Sequence, residues 1–249
     1  MKGIVLGSGT GIPSPSRNSA GYHLEAGGLN LLIDCGPGTL RRLVRARKGI
    51  TSLDAVFITH THPDHVGDLT SLIHGLRIGA TGRRKKLTVY GPPGFRDFFD
   101  RIVMTQVRLP DHFTIEALEV EETITLGSLV VRTFPVRHVE SLNSVAYRFE
   151  EAGAAIVFSG DCDYDQTLID GSRNADILIL DCCTLDSDKM EGHLSAGLAG
   201  LVAAKAGVKH LIPTHFYPIP AADSEREQEC RIQFSGKITL AEDLMTFEA

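Results

Sequence analysis

Three histidines and a carboxylate crowd into one short segment, Thr59-His60-Thr61-His62-Pro63-Asp64-His65, directly after an apolar run that begins at Ala55. His60 and His62 are separated by one residue, so on an extended chain they point the same way. Pro63 then breaks the strand, and Asp64 and His65 can turn toward a second point. Neutral imidazole and carboxylate are ligands for zinc, and also for manganese or iron. The geometry suits two divalent cations side by side better than one. A polar loop of surface histidines is the plain alternative, but it gives no reason for four ligand types in this order behind a buried strand.

The rest of the chain must supply strands to carry such a segment. Short β-type runs lie at Gly3 to Leu6, Tyr22 to Glu25 and Leu29 to Asp34, the last two flanking the hairpin signal Ala26-Gly27-Gly28. Ala55 to Thr59 and Leu87 to Tyr90 read as strands, as do Thr114 to Val120, Leu129 to Thr133, Ser144 to Phe149 and Ala154 to Ser159. Helical patterns cover Gly38 to Lys48, Asp68 to Ile78, Gly94 to Met104 and Ser195 to Ala206, with one more helix near the end. Strands at Ile177 to Leu180, His210 to Ile212 and Lys237 to Leu240 alternate with the later helices. Blocks of antiparallel strands with interspersed helices predict two sheets packed face to face with helices outside. No repeat or linker divides the chain, so it reads as one domain over 1–249. Gly7-Ser8-Gly9-Thr10-Gly11 follows a strand, but its third glycine falls one place early and Pro13 and Pro15 stop any helix that could receive a pyrophosphate. It reads as a turn-rich loop.

Composition narrows the partners. Hydrophobic residues make up 43% and charged residues 22%, an ordinary globular balance. A net charge of −6 lacks the basic footprint of a general nucleic-acid binder, so nucleic acid is not expected as partner. No apolar run reaches the roughly 20 residues that span a bilayer, and no signal peptide is visible. The five cysteines include the adjacent pair Cys182-Cys183 and form no C-x-x-C, which points to a reducing compartment, the cytoplasm.

His60-x-His62-x-Asp64-His65 resembles the signature of the metallo-β-lactamase superfamily, and the likeness continues in order along most of the chain. Leu31-Leu32-Ile33-Asp34-Cys35-Gly36 resembles the strand and turn before the signature. His138 falls where the next metal histidine is expected, Ser159-Gly160-Asp161 resembles the strand end with a bridging aspartate, and Pro213-Thr214-His215-Phe216 resembles the final metal histidine. The resemblance implies an α+β fold, an αβ/βα four-layer sandwich of two mixed β-sheets with helices on the outer faces. Carried over, His60, His62 and His138 would hold a first metal, Asp64, His65 and His215 a second, and Asp161 would bridge them. Two such cations, zinc first with Mn2+ or Fe2+ as alternatives, lower the pKa of a shared water and polarise a substrate oxygen. His60-x-His62 in place of His-x-Glu departs from the redox-active diiron branch and favours hydrolysis.

Within the superfamily the sequence is most similar to ribonuclease Z and its relatives. Gly192-His193-Leu194-Ser195-Ala196 resembles that group's extra histidine motif, and Asp181 falls where an acidic residue ends a strand. Asp64, His193 and Asp181 are thus the residues expected to carry the reaction, with an Asp181–His193 pair making His193 a general acid or a phosphoryl stabiliser. A helix-capping His193 with a merely structural Asp181 stays open as the alternative. The tRNA-gripping arm of ribonuclease Z commonly lies between the third metal histidine and the bridging aspartate. Here two strands and a turn consume the stretch from His138 to Asp161. After His215 the sequence Phe216-Tyr217-Pro218-Ile219-Pro220 lacks the basic residue often seen there, and Arg83-Arg84-Lys85-Lys86 reads as a solvated loop. The expected activity is a dinuclear metal-dependent phosphodiesterase acting on a small-molecule phosphodiester, and a homodimer, common in such families, is one expected assembly. The alternatives are a thioesterase, lactonase or glyoxalase-like hydrolase, a tRNA 3′-processing endonuclease, and a non-catalytic metal-binding module. His23, His74, His112 and His210 are expected to be structural or surface residues.

Overall fold

The computed structural model describes residues 1–79, 82, 85–218 and 223–249. Alternating side chains split the first half of the chain between two cores. β1 (Lys2–Gly7), β2 (Gly21–Ala26), β3 (Leu29–Ile33), β4 (Ala55–Phe57), β5 (Leu87–Gly91) and β6 (Ile115–Glu119) form one sheet, completed at its edge by β14 (Thr246–Glu248). β7 (Thr123–Leu126), β8 (Leu129–Pro135), β9 (Val145–Glu151), β10 (Ala154–Phe158), β11 (Ile177–Asp181), β12 (His210–Thr214) and β13 (Lys237–Ile238) form the second. Each sheet has seven strands and is mixed: β3 through β6 and β10 through β13 pair parallel, and the remaining neighbours pair antiparallel.

Leu31, Ile33 and Phe57 face the second sheet, while Leu32 and Val56 face outward, as a two-residue period requires. The outward core is closed by α1 (Thr39–Arg45), α3 (Leu69–Gly79) and α4 (Phe95–Phe98), with the short α2 (Pro63–Val66) at the sheet's end. On the far side, α5 (Gln166–Gly171) and α6 (Ala196–Ala206) cover the second sheet, and α7 (Asp223–Gln233) packs on α6. This is the four-layer arrangement implied by the resemblance. β10 and β11 are buried on both faces, which is why their sequences are continuous apolar runs.

Several elements differ from the sequence reading. The helix expected over Gly38 to Lys48 is confined to Thr39–Arg45, and the one expected from Gly94 to Met104 is a single α-turn running into a π-helical turn at Phe99–Val103. β7, α5 and β14 lacked a readable signal. β14 has three residues and exists through pairing, Gly3 opposite Phe247, so nothing local could announce it. The stretch from His138 to Asp161 holds β9, β10 and a tight turn at Ala152 and Gly153, with no protruding arm. Arg83 and Arg84 of the basic run, and Ile219 and Pro220, lie outside the described residues. Lys85 pairs with Asp54 at 2.6 Å and Lys86 with Glu116. Both precede β5, at the opposite end of the parallel strands from His60.

The sheets are laced together where the histidine segment begins. The Phe57 ring meets Tyr147 and Phe149 edge-on, each at 5.2 Å between centroids, contacts worth about 0.5–1.5 kcal/mol beyond area burial. Tyr147 Oη donates to the Ile58 carbonyl at 2.6 Å, and Val145 N donates to the Thr59 carbonyl at 3.0 Å. The chain thus enters the histidine segment from a support anchored in both sheets.

Candidate metal centre

Every candidate residue leaves the C-terminal end of a strand or the loop that follows it. His60 and His62 follow β4, and Pro63 starts α2, which turns Asp64 and His65 back toward the sheet edge. His138 follows β8, Asp161 follows β10, Asp181 ends β11 and His215 follows β12. Gly160, with φ +61, lets the chain reverse before Asp161. A Cβ there would stand 2.6 Å from that of Thr59, so the loop closes against the other sheet because the residue has no side chain. His215 itself holds φ +61, a left-handed conformation sparsely used by non-glycine residues; its neighbour Phe216 N donates to the Ser8 carbonyl.

The structure brings His60, His62, His138 and Asp161 into one group and Asp64, His65, Asp161 and His215 into another, the donor atoms of each within 4.8 Å of one another. Asp161 stands between the sets. Its Oδ2 is 3.6 Å from His60 Nε2 and 3.9 Å from His138 Nε2, while its Oδ1 is 3.1 Å from His65 Nε2 and 3.2 Å from His215 Nε2.

The hydrogen-bond pattern tests whether cations fit. His138 Nδ1 donates to the Gly192 carbonyl at 2.8 Å, which turns its Nε2 toward the other rings. Thr59 Oγ1 donates to Asp34 and receives His60 Nδ1 at 3.1 Å, which turns His60 Nε2 the same way. Both Nε2 atoms face His62 Nδ1, at 3.1 and 3.2 Å. Three ring nitrogens thus converge on one point, an arrangement that suits a bound cation. His65 Nδ1 is held by Asp34 Oδ2 at 2.8 Å. His65 Nε2 and Asp161 Oδ1 stand 3.1 Å apart, and neither finds a hydrogen bond of good geometry among the described residues. Buried polar atoms are rarely left so, and a shared cation satisfies both. The donor set fits zinc-type metals.

Electrostatics divide the two sets. Burial holds the His60 and His62 pKa values below normal, reinforced by the neighbouring imidazoles, so these rings stay neutral. Burial also acts to discharge His215, but Asp161, Asp181 and Asp64 outweigh it and push the pKa up to about 10. His65 behaves alike: burial is overcome by Asp161 and Asp34, and the pKa lies well above normal. In Asp64, burial favours the neutral acid, yet His215 and His65 draw the pKa down to about 2. Asp161 is likewise held ionised against burial by His215, His65 and His60.

His193 and Asp181 adjoin this centre. His193 Nδ1 lies 2.9 Å from Asp181 Oδ2, and its ring stacks on His215 at 5.5 Å with 15° between planes. Burial would discharge His193, but Asp181 outweighs it and raises the pKa. The Asp181 side chain does accept a backbone bond, from Cys162 N at 3.1 Å, in addition to His193. His193 is not a capping group: Ser195 is the N-cap of α6, and no side chain caps it.

Three contributors escaped the sequence reading. Asp34, with φ +55 after β3, orients both Thr59 and His65; it lay within the stretch resembling the strand and turn before the signature, but no role was expected of it. Cys183 Sγ touches Asp181 Oδ1 and His215 Nδ1, and burial, with Asp181 and Asp161 close by, keeps the thiol well above its usual pKa. Tyr217 walls the centre, its ring 5.9 Å from His193 and 6.2 Å from His215. The other histidines lie elsewhere: His23 in β2, His74 in α3, His112 against Phe113, and His210 on Thr239.

A family model described as the beta-lactamase superfamily domain matches residues 29–216. The chain is similar to the probable metallo-hydrolase YhfI of Bacillus subtilis, 28% identical over the whole of both chains. The crystal structure of YhfI superposes with a TM-score of 0.87, covering 100% of this chain and 99% of that one. A ribonuclease Z of Mycobacterium marinum is 30% identical over 98% of this chain and 97% of its own. The short form of human tRNase Z superposes with a TM-score of 0.80 at 25% identity, covering 100% of this chain and 99% of its own. With its paired sheets and its two His/Asp groups at their edge, the chain belongs to the metallo-β-lactamase superfamily, as a hydrolase of that fold.

Proposed function

We propose that the chain is a dinuclear metal-dependent phosphodiesterase. His60 Nε2, His62 Nδ1 and His138 Nε2 would hold one cation, Asp64, His65 and His215 the other, with one oxygen of Asp161 for each set. Zinc is the first choice for such donors. When bound, the cations supply Lewis acidity, which makes a water nucleophilic and offsets charge on the phosphoryl oxygens.

The observation that carries the reading is the Asp181–His193 pair beside the centre. Asp181 fixes Nδ1 of His193 and stabilises its imidazolium, so Nε2 holds its proton to higher pH than a free imidazole would. A proton from Nε2 can pass to the departing ester oxygen, the step a poor leaving group needs most. Hydrolysis of a thioester leaves less for this pair to do, since a thiolate departs readily without a proton. Relatives named ribonuclease Z and tRNase Z support a phosphodiester bond as the target. The absence of an arm between His138 and Asp161, and the net charge of −6, favour a substrate smaller than tRNA.

Turnover of bis(para-nitrophenyl) phosphate and of an alkyl phosphodiester by metal-loaded protein tests this. Chelation should abolish both rates. His193→Ala should lower kcat for the alkyl ester about 10²–10⁴-fold and spare the activated ester more. Faster turnover of thioesters or lactones, or an alkyl-ester rate untouched by the substitution, would refute the reading.

A further inference from the structure

Asp181 has two oxygens with separate duties. Oδ2 takes His193 Nδ1 and Cys162 N, while Oδ1 lies 3.1 Å from Cys183 Sγ. His215 Nδ1 is 3.7 Å from Oδ1, too far for a hydrogen bond, and the sulfur fills the gap at 3.4 Å from that nitrogen. A neutral thiol has one hydrogen to give and lone pairs to receive. With the S–H on Asp181, the sulfur accepts Nδ1–H of His215, and His215 Nε2 is left facing Asp64 and Asp161. The backbone of Cys183 clamps the same place: its N–H donates to the Leu194 carbonyl at 3.0 Å and its carbonyl accepts from Tyr217 N at 3.1 Å. It therefore joins the segment carrying His193 to the one following His215.

We propose that Cys183 is a positioning residue that couples the Asp181–His193 pair to the second cation subsite by fixing the tautomer and ring angle of His215. The proposal rests on the dinuclear reading above. The adjacent Cys182 is buried too, but Cys183 is the one whose sulfur meets both Asp181 and His215. Partners of this kind, one bond removed from a metal, typically alter metal affinity or activity 10–100-fold when removed.

The test loads wild type, Cys183→Ala and Cys183→Ser with Co2+, reading stoichiometry, affinity by chelator competition, and the visible cobalt spectrum. The Ala variant should bind the second cation about 10–100-fold more weakly with a changed spectrum, leaving the first unchanged. The Ser variant, whose hydroxyl also gives and receives, should recover most of the loss. Should the Ala variant not fold, Cys183→Thr against its isostere Cys183→Val repeats the comparison. No loss in either variant, or equal loss in both, makes Cys183 packing alone and overturns the proposal. A thiolate-to-cobalt charge-transfer band in wild type also overturns it, since the sulfur would then be a ligand. Fewer than two cations on wild type sinks the dinuclear reading, and the coupling with it; two cations with indifferent variants sinks the coupling alone.

Discussion

Filling the second cation subsite should expel protons, and the structure says how many. His65 and His215 both turn Nε2 to Asp161 Oδ1, at 3.1 and 3.2 Å, and His215 Nε2 also lies 3.4 Å from Asp64 Oδ2. These carboxylates overcome the effect of burial, placing the His215 pKa at about 10 and that of His65 well above normal. A raised pKa means the proton is on below that value, so at neutral pH a cation must displace one from each ring. The first subsite differs, because burial keeps His60 and His62 neutral. Each displaced proton makes affinity tenfold per pH unit, so the second cation should bind about 100-fold more tightly per unit above neutrality. The dependence fades as the pH approaches the raised values, where the rings lose their protons unaided. Calorimetric titration with zinc, in buffers of differing ionisation enthalpy, counts the protons; chelator competition over a range of pH gives the slope. Release of less than one proton with the second cation, or a flat affinity, would refute the assignment of His65 and His215 as a protonated pair awaiting a metal.

Two substitutions probe the supports. Asp34→Asn removes the charge that holds His65 Nδ1 and Thr59, and should weaken the second cation about 10–100-fold in chelator competition; an unchanged affinity would show that Asp34 only shapes the turn. Gly160→Ala forces a side chain onto a residue at φ +61 and against Thr59, and should cost about 1–3 kcal/mol in denaturant unfolding, whereas a negligible cost would mean that the two strand-end loops part easily.

Much of the candidate metal centre was legible because its elements are local. His60 and His62 share a side of an extended segment, and Pro63 marks where the chain must turn, whatever the rest does. His138, Asp161 and His215 were reachable only through a resemblance in order, since a lone histidine or aspartate at a strand end carries little by itself. Asp34 and Cys183 were not legible as site residues. Asp34 acts through a left-handed turn that no composition announces, and Cys183 through a sulfur lying between Asp181, two residues back, and His215 at the end of another strand. β14 likewise exists only because β1 offers an edge.

By itself the sequence determined which ligand-type residues stand together, the two-sheet pattern and the want of an arm between His138 and Asp161, because residue type, alternation and loop length are properties of short stretches. The tertiary structure alone decided that Asp161 offers one oxygen to each histidine set, that Asp181 divides its oxygens between His193 and Cys183, and which ring nitrogens converge on one point. Those facts depend on contacts between distant strand ends within a few tenths of an ångström and on hydrogen-bond directions, which spacing along the chain cannot encode.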